Sequence, residues 1–252
     1  MKIIEVTPEN IAAEGIFCAK DFKSQGFENK RLWYERQFEL GLRLCILKSD
    51  EGKAIGFVEY VPADQAWRPV DAPGMLFIQC MFIYAKKDRE QGLGTLLIDH
   101  CEQQAKALGF HGLCTMTSSG AWVANKKLFK KHGFAQVDSR GRFELMYKTW
   151  EKDTDKPQLN DWESKQVQYQ GWHLIYADQC PWHIKSVEAL QKVAKEHGFE
   201  INVQRITTVE EAKAAPSGFG VFSLLLDGKL LEDHYISETR FRNILKKELK
   251  LI

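Results

Sequence analysis

Residues 75–94 read MLFIQCMFIYAKKDREQGLG: an apolar run, a charged turn and a pair of glycines. The first ten, 75–84, have the apolar, aromatic character of a buried central strand. Residues 86–91 make a charged turn, and 93–108 have helical periodicity that Gly109 closes as a C′ residue. The hexapeptide Arg89-Glu90-Gln91-Gly92-Leu93-Gly94 therefore stands at a helix N-terminus. Several backbone N–H groups lack an internal partner there, and the macrodipole leaves partial positive charge. A pyrophosphate fits such a place if the chain can approach closely, and Gly92 and Gly94 remove the Cβ atoms that would block it. Arg89 either adds a full charge at the rim or is simply solvated. There is no G-x-x-x-x-G-K-[ST] loop, and no G-x-G-x-x-G with a following ribose-binding acid.

Working outward, residues 3–6 read as a strand, and Thr7-Pro8 supplies a cap and first-turn proline for a helix running toward Lys20. A second helix covers 29–40. Strands at 42–48 and 54–61 flank the turn Asp50-Glu51-Gly52-Lys53 as a hairpin, and 62–74, with prolines at 62, 69 and 73, is a loop. Downstream come a strand at 113–117, a helix at 125–132 closed by Gly133, and strands at 134–138 and 143–149. Residues 151–170 (EKDTDKPQLNDWESKQVQYQ) are dense in polar groups and read as a linker. The second pattern runs through strand 172–177, helix 183–197, strand 200–206, helix 209–214, strands 220–226 and 229–235, and helix 238–249. Two domains are expected, 1–150 and 171–252, joined by 151–170.

With 252 residues, 44% hydrophobic and 27% charged, the chain has the composition of a globular protein able to bury a real core. Lys plus Arg is 35 against 34 for Asp plus Glu, so a formal charge of +1 offers no field for drawing in a phosphate backbone. Nucleic acid is not an expected partner. The start, Met1-Lys2-Ile3-Ile4-Glu5, lacks an apolar leader core, and no stretch reaches the ~18 apolar residues of a membrane span. A cytoplasmic protein without a membrane partner is expected. The six cysteines, at 18, 45, 80, 101, 114 and 180, show no C-x-x-C pair, which points to thiols rather than disulfides and to no metal site.

The order strand, R/Q-x-x-G-x-G/A, helix, strand, then Asn-x-x-x-aromatic-x-x-x-Gly-Phe resembles the GNAT acetyl-CoA-dependent N-acetyltransferases. Here its second part is Asn125-Lys126-Lys127-Leu128-Phe129-Lys130-Lys131-His132-Gly133-Phe134, and the likeness spans residues 1–150. It implies an α/β fold, in detail an α+β GNAT fold with a mixed, largely antiparallel sheet. It also implies acetyl-CoA as co-substrate and direct transfer to the amine of a small-molecule acceptor in a ternary complex. The central strand would splay from its neighbour, with Phe82, Ile83 and Tyr84 meeting the pantetheine arm. Arg89 and the amides of Glu90, Gln91, Gly92, Leu93, Gly94 and Thr95 would hold the pyrophosphate. Asn125 would reach the cofactor, or serve as a plain N-cap, and the two roles are compatible. A homodimer is compatible with the chain.

Acetyl transfer needs a neutral amine, donors for an oxyanion and often a proton for the departing thiolate. The tyrosine that many GNAT enzymes carry four residues before Gly-Phe is Phe129 here, which cannot donate. Another group protonates the sulfur, CoA leaves as thiolate, or the domain departs from the usual chemistry. Glu59 is the best catalytic carboxylate, because Phe57, Glu59 and Val61 share one face beside the cofactor strand; the alternative is a solvated strand residue. Cys80 either faces the acceptor cleft or is an inert core thiol, and Trp33 and Trp67 either line a pocket or cap a core.

Residues 171–252 resemble the thioredoxin-like order β-α-β-α-β-β-α, with Cys180-Pro181-Trp182-His183 where that fold carries its redox motif. A thiol before a helix N-terminus is favoured as thiolate. His183 takes the place of the second cysteine, so an internal disulfide cannot form. Cys180 is thus either a reactive thiol using an external partner or an inherited structural residue. Pro216 is not assigned as that fold's cis-proline. The whole arrangement resembles the bacterial YoaP-type acetyltransferases. An alternative function is thiol-dependent redox or thiol-ligand sensing through Cys180, with the first half as an acyl-CoA-binding scaffold.

Overall fold

The computed structural model describes residues 1–85, 88 and 91–249. The chain forms two compact units. The first takes Met1–Lys20, Tyr34–Ala66 and Val70–Asn160; the second takes Asp21–Trp33, Trp67–Pro69 and the chain from Asp161 onward.

In the first unit the strands are β1 (Lys2–Val6), β2 (Arg43–Lys48), β3 (Ala54–Pro62), β4 (Val70–Asp71), β5 (Met75–Ile83), β6 (Gly112–Ser118), β7 (Ala135–Arg140), β8 (Phe143–Thr149) and β9 (Gln158–Leu159). Seven of them form one sheet in the order β1-β2-β3-β5-β6-β8-β7. Every pairing in it is antiparallel except β5 with β6. A parallel pair needs a crossover, and α3 (Leu93–Ala107) supplies it. Leu93, Leu97, Ile98, Cys101 and Ala105 of α3 pack into one core with Leu47, Val58, Tyr60, Leu76 and Ile78 of the sheet. Two of the cysteines in this core behave as apolar residues: burial pushes the Cys45 thiol up to about 12 and that of Cys101 well above its usual value.

Three local features differ from the sequence reading. The helix expected from Pro8 toward Lys20 is the single turn α1 (Ile11–Glu14), because Gly15 at φ 74 turns the chain away. Helix α2 (Gln25–Glu39) starts earlier than the apolar period suggests, since the Ser24 hydroxyl accepts from the Phe27 amide at 3.3 Å as an N-cap serine does. β4 and β9 form a two-stranded ladder, Val70 with Leu159 and Asp71 with Gln158, joining the proline-rich loop to the polar segment 151–170.

The second unit carries a four-stranded sheet of β10 (Trp172–Ala177), β11 (Asn202–Ile206), β12 (Phe222–Leu226) and β13 (Lys229–Glu232), in the order β11-β10-β12-β13. β10 and β11 are parallel, and β12 runs antiparallel to both β10 and β13. Its helices are α5 (His183–Glu196), α6 (Val209–Lys213) and α7 (Glu238–Glu248), and α6 begins with a complete capping box of Thr208 and Glu211. Leu190 and Val193 of α5 and Phe241 and Leu245 of α7 are buried with Leu174 and Leu224 of the sheet. Residues from α2 and from 67–69 belong to this unit. Trp33 meets Trp67 edge-on at 5.3 Å, and the Arg68 guanidinium lies 4.6 Å from the Phe219 ring centre.

Candidate functional site

β5 and β6 pair only through Met75–Gly112, Leu76–Leu113 and Phe77–Cys114, although both strands continue beyond that point. At the next position the Thr115 hydroxyl donates to the Ile78 carbonyl at 2.8 Å. β6 stays fully laddered to β8 on its other side, from Gly112 to Ser118, so it is the β5-facing edge that opens. On β5 the register against β3 shifts by one residue: Glu59 faces Cys80 but Tyr60 faces Ile78, leaving Gln79 as a bulge.

The Tyr84 amide donates to the Ile55 carbonyl at 3.0 Å. By the two-residue period of a strand, the main chain of Phe82 also faces β3, while that of Met81 and Ile83 faces the edge β6 has left. Of the trio named from sequence, Ile83 alone turns its backbone to the opening. Met81, which sequence reasoning passed over, joins it, and the bulge that decides this parity has no signature in composition. The Phe82 and Tyr84 side chains are 45% and 55% exposed.

The glycine turn follows. Gly92 has φ 76 and is the N-cap of α3, and the Leu96 amide makes the first backbone bond of the helix back to Gly92. The amides of Leu93, Gly94 and Thr95 precede that bond and point out of the helix end, and the first turn holds no acidic residue. Among the described residues a Cβ on Gly92 would meet nothing within 4 Å, while its left-handed backbone by itself calls for glycine there. Gly94 answers to a different demand: a Cβ on it would come within 3.1 Å of Leu128 on α4 (Lys126–Lys131). Beside it the Thr95 hydroxyl is 3.1 Å from His132 Nε2. Gln91, Leu93 and Tyr84 line a common pocket of about 300 Å³ with the β2–β3 turn. Arg89 and Glu90 lie outside the described residues.

Asn125 caps α4, its side chain accepting from the Lys127 amide at 2.9 Å. Phe129, where the family's acid would stand, is fully buried against Phe134, with ring centres 5.3 Å apart. Glu59 is not a solvated strand residue. It is 0% exposed; its Oε2 accepts from the Tyr34 hydroxyl at 2.6 Å and its Oε1 from Gln79 Nε2 at 2.9 Å. Burial and the Glu59 carboxylate push the Tyr34 hydroxyl well above its usual range, with Cys18 and Cys80 adding to the effect. Tyr34 and Gln79, both missed from sequence, become visible only once α2 and the bulge are folded against β3.

Cys180 belongs to the other unit from Glu59. It is half-buried and lies just before Trp182, the N-cap of α5. Within this unit the Lys30 ammonium donates to the Gln179 carbonyl, and a Cβ on Gly26 would overlap the Pro181 carbonyl oxygen. His183 is 1% exposed; its Nδ1 is 2.8 Å from the Ala177 carbonyl and its Nε2 meets no hydrogen-bond partner among the described residues. Burial holds its imidazole down to about 3. Peptide bonds among the described residues are trans, that of Pro216 included. No cluster of three or more metal-ligating side chains occurs among the described residues, and no described helix is long and apolar enough to cross a membrane.

Comparison with known proteins bears on the same elements. A family model described as Acetyltransferase (GNAT) family matches residues 8–134, just over half of the chain, and a model described as YoaP-like matches residues 201–243. The protein named Uncharacterized N-acetyltransferase YoaP from Bacillus subtilis (strain 168) is 27% identical over 251 residues, covering 97% of this chain and 98% of that one. Among solved structures, the ribosomal-protein-alanine N-acetyltransferase from Brucella melitensis is 17% identical with TM-score 0.43, over 59% of this chain and 99% of that one. The phosphinothricin acetyltransferase from Sinorhizobium meliloti, solved with acetyl-CoA, is 13% identical with TM-score 0.44, over 62% of this chain and 92% of that one. The stretch 8–134 spans the opened strand end, the glycine turn and the capped α4, and the chain belongs to the GNAT family of acetyltransferases, whose acyl donor is acetyl-CoA.

Proposed function

We propose that the chain transfers the acetyl group of acetyl-CoA directly to the amine of a small-molecule acceptor, with both substrates bound together. The observation that carries this reading is the opening between β5 and β6 in front of the first turn of α3. The pantetheine arm lies along β5 and takes hydrogen bonds from the main chain of Met81 and Ile83. The pyrophosphate sits at the amides of Gln91 to Thr95, helped by the helix dipole and by an approach that Gly92 leaves clear. Arg89 and the Glu90 amide, expected from the sequence at the same anion site, complete the set in this proposal. Asn125 acts through its cap, which holds α4 and its lysines beside Gly94 and Thr95. Because Phe129 is a buried core residue, CoA leaves as a thiolate or takes its proton from a group other than this position.

The second unit is proposed to be thioredoxin-like, supported by the order β11-β10-β12-β13 with its parallel first pair and by a thiol just ahead of α5. In this reading it recognises the acceptor, and Cys180 contributes to that rather than to holding acetyl-CoA. Calorimetric titration of the full chain with acetyl-CoA, followed by thiol release measured over a panel of small amines, tests the proposal. Binding and amine-dependent release of CoA are expected. Cys180→Ser is expected to keep acetyl-CoA affinity unchanged. No binding by the wild-type chain would end the reading.

A further inference from the structure

We propose that Glu59 is a positioning residue: held between Tyr34 and Gln79, it pins the bulge in β5 and so fixes which main-chain groups meet the acetyl-CoA arm. The inference rests on the acetyl-CoA reading given above. Its starting point is a parity. Ile78 lies in the core shared with α3, and past the bulge Met81 and Ile83 lie there too. An unbroken strand would instead have put Ile78, Cys80 and Phe82 on one face, since alternation has period two. The extra residue at Gln79 reverses the alternation, sending Cys80 and Phe82 to the Glu59 face and turning the backbone of Met81 and Ile83 to the open edge.

Gln79 is the extra residue of the bulge, falling between the register pairs Glu59–Cys80 and Tyr60–Ile78, and a bulge keeps one backbone state when its side chain is tied. Here it is tied. Its amide donates to Glu59 Oε1 at 2.9 Å while the Tyr34 hydroxyl donates to Oε2 at 2.6 Å, and all three side chains are at most 6% exposed. A buried carboxylate holds its donors firmly, because losing either one leaves an oxygen less well compensated in a medium that solvates it poorly. A base acting directly on an amine must come within hydrogen-bond reach of it, whereas both oxygens of Glu59 are turned into this clamp.

The test titrates the full chain with acetyl-CoA by calorimetry, with melting temperature followed alongside, for wild type, Gln79→Leu, Glu59→Gln and the double variant Glu59→Gln with Gln79→Glu. Each single change mismatches donor and acceptor at the bulge, and misplacement on this scale is expected to weaken acetyl-CoA binding about tenfold or more. The exchanged pair restores one donor facing one acceptor and is expected to recover affinity to within about threefold of wild type. Should Gln79→Leu not fold, Gln79→Asn, which shortens the donor, weakens binding in the same direction. Wild-type affinity in every single variant, or a double variant no better than the singles, would overturn the proposal. Absence of binding by wild type would instead count against the acetyl-CoA reading beneath it.

Discussion

Thr115 and Ile78 are joined through a side chain where the ladder would have used backbone: the threonine hydroxyl donates to the isoleucine carbonyl at 2.8 Å, one position past the last β5–β6 pair. The bond satisfies the first acceptor exposed by the parting of the strands. Thr115→Val keeps the shape and removes the donor, leaving a buried carbonyl unpaired at about 1–3 kcal/mol. Urea denaturation is expected to show that loss, and Thr115→Ser, which keeps the hydroxyl, is expected to recover most of it. Equal stability of the valine variant and wild type would mean the carbonyl finds another partner.

Gly92 is held at φ 76, and a Cβ there would meet none of the described residues within 4 Å. Gly92→Ala therefore strains the backbone without clashing, at a cost of about 1–2 kcal/mol. Acetyl-CoA affinity is expected to fall with it, since the amides of the turn would relax away from their anion-facing geometry. A melting curve and a titration on the same sample check both effects.

The exposed lysines of α4, Lys127, Lys130 and Lys131, are carried by a helix that meets α3 at Gly94 and Thr95. Replacing Lys127 and Lys130 by glutamate is expected to raise the KM for acetyl-CoA, a polyanion. The difference from wild type should shrink toward ~1 M salt, where the screening length falls to about 3 Å. An effect independent of salt would exclude an electrostatic origin.

His183 gives the second unit a pH dependence of known sign. Its folded value is depressed to about 3 from 6.5, by burial first, with electrostatic contributions from Arg68, Lys30 and His234 adding to it, against an opposing hydrogen bond with Ala177. The unfolded chain binds the proton more readily, so the neutral ring's contribution is complete above pH 6.5 and is lost as pH falls from there toward 3. The slope is at most about 1.4 kcal/mol per pH unit. Denaturation of wild type at pH 7 and pH 5 is expected to show it, and His183→Leu should flatten that part of the profile.

How much of this was readable beforehand depends on the range of the interactions involved. The strand read at 75–84, the helix from Leu93 and the cap at Asn125 are written in runs and single residues a few positions apart, and they form at those places, the strand ending at Ile83. The clamp on Glu59 is assembled from positions 34, 59 and 79, and nothing local marks those three as neighbours. The same holds for the β4–β9 ladder, where two residues of a proline-rich loop meet two from a polar segment some 87 positions later. Gly94 was legible as a glycine but not for its reason, which is the leucine of another helix.

The second unit also has a consequence for protein engineering. Its chain from Asp161 onward is completed by residues 21–33 and 67–69: Gly26 fits against Pro181, and the backbone at Trp67 and Arg68 against Gly220. Excising it as a cassette at the polar segment would strip off these seats and leave Pro181 and Gly220 facing water. Transplanting this module onto another enzyme would mean grafting three separate stretches of polypeptide, which ties its evolutionary fate to that of the host sequence around it.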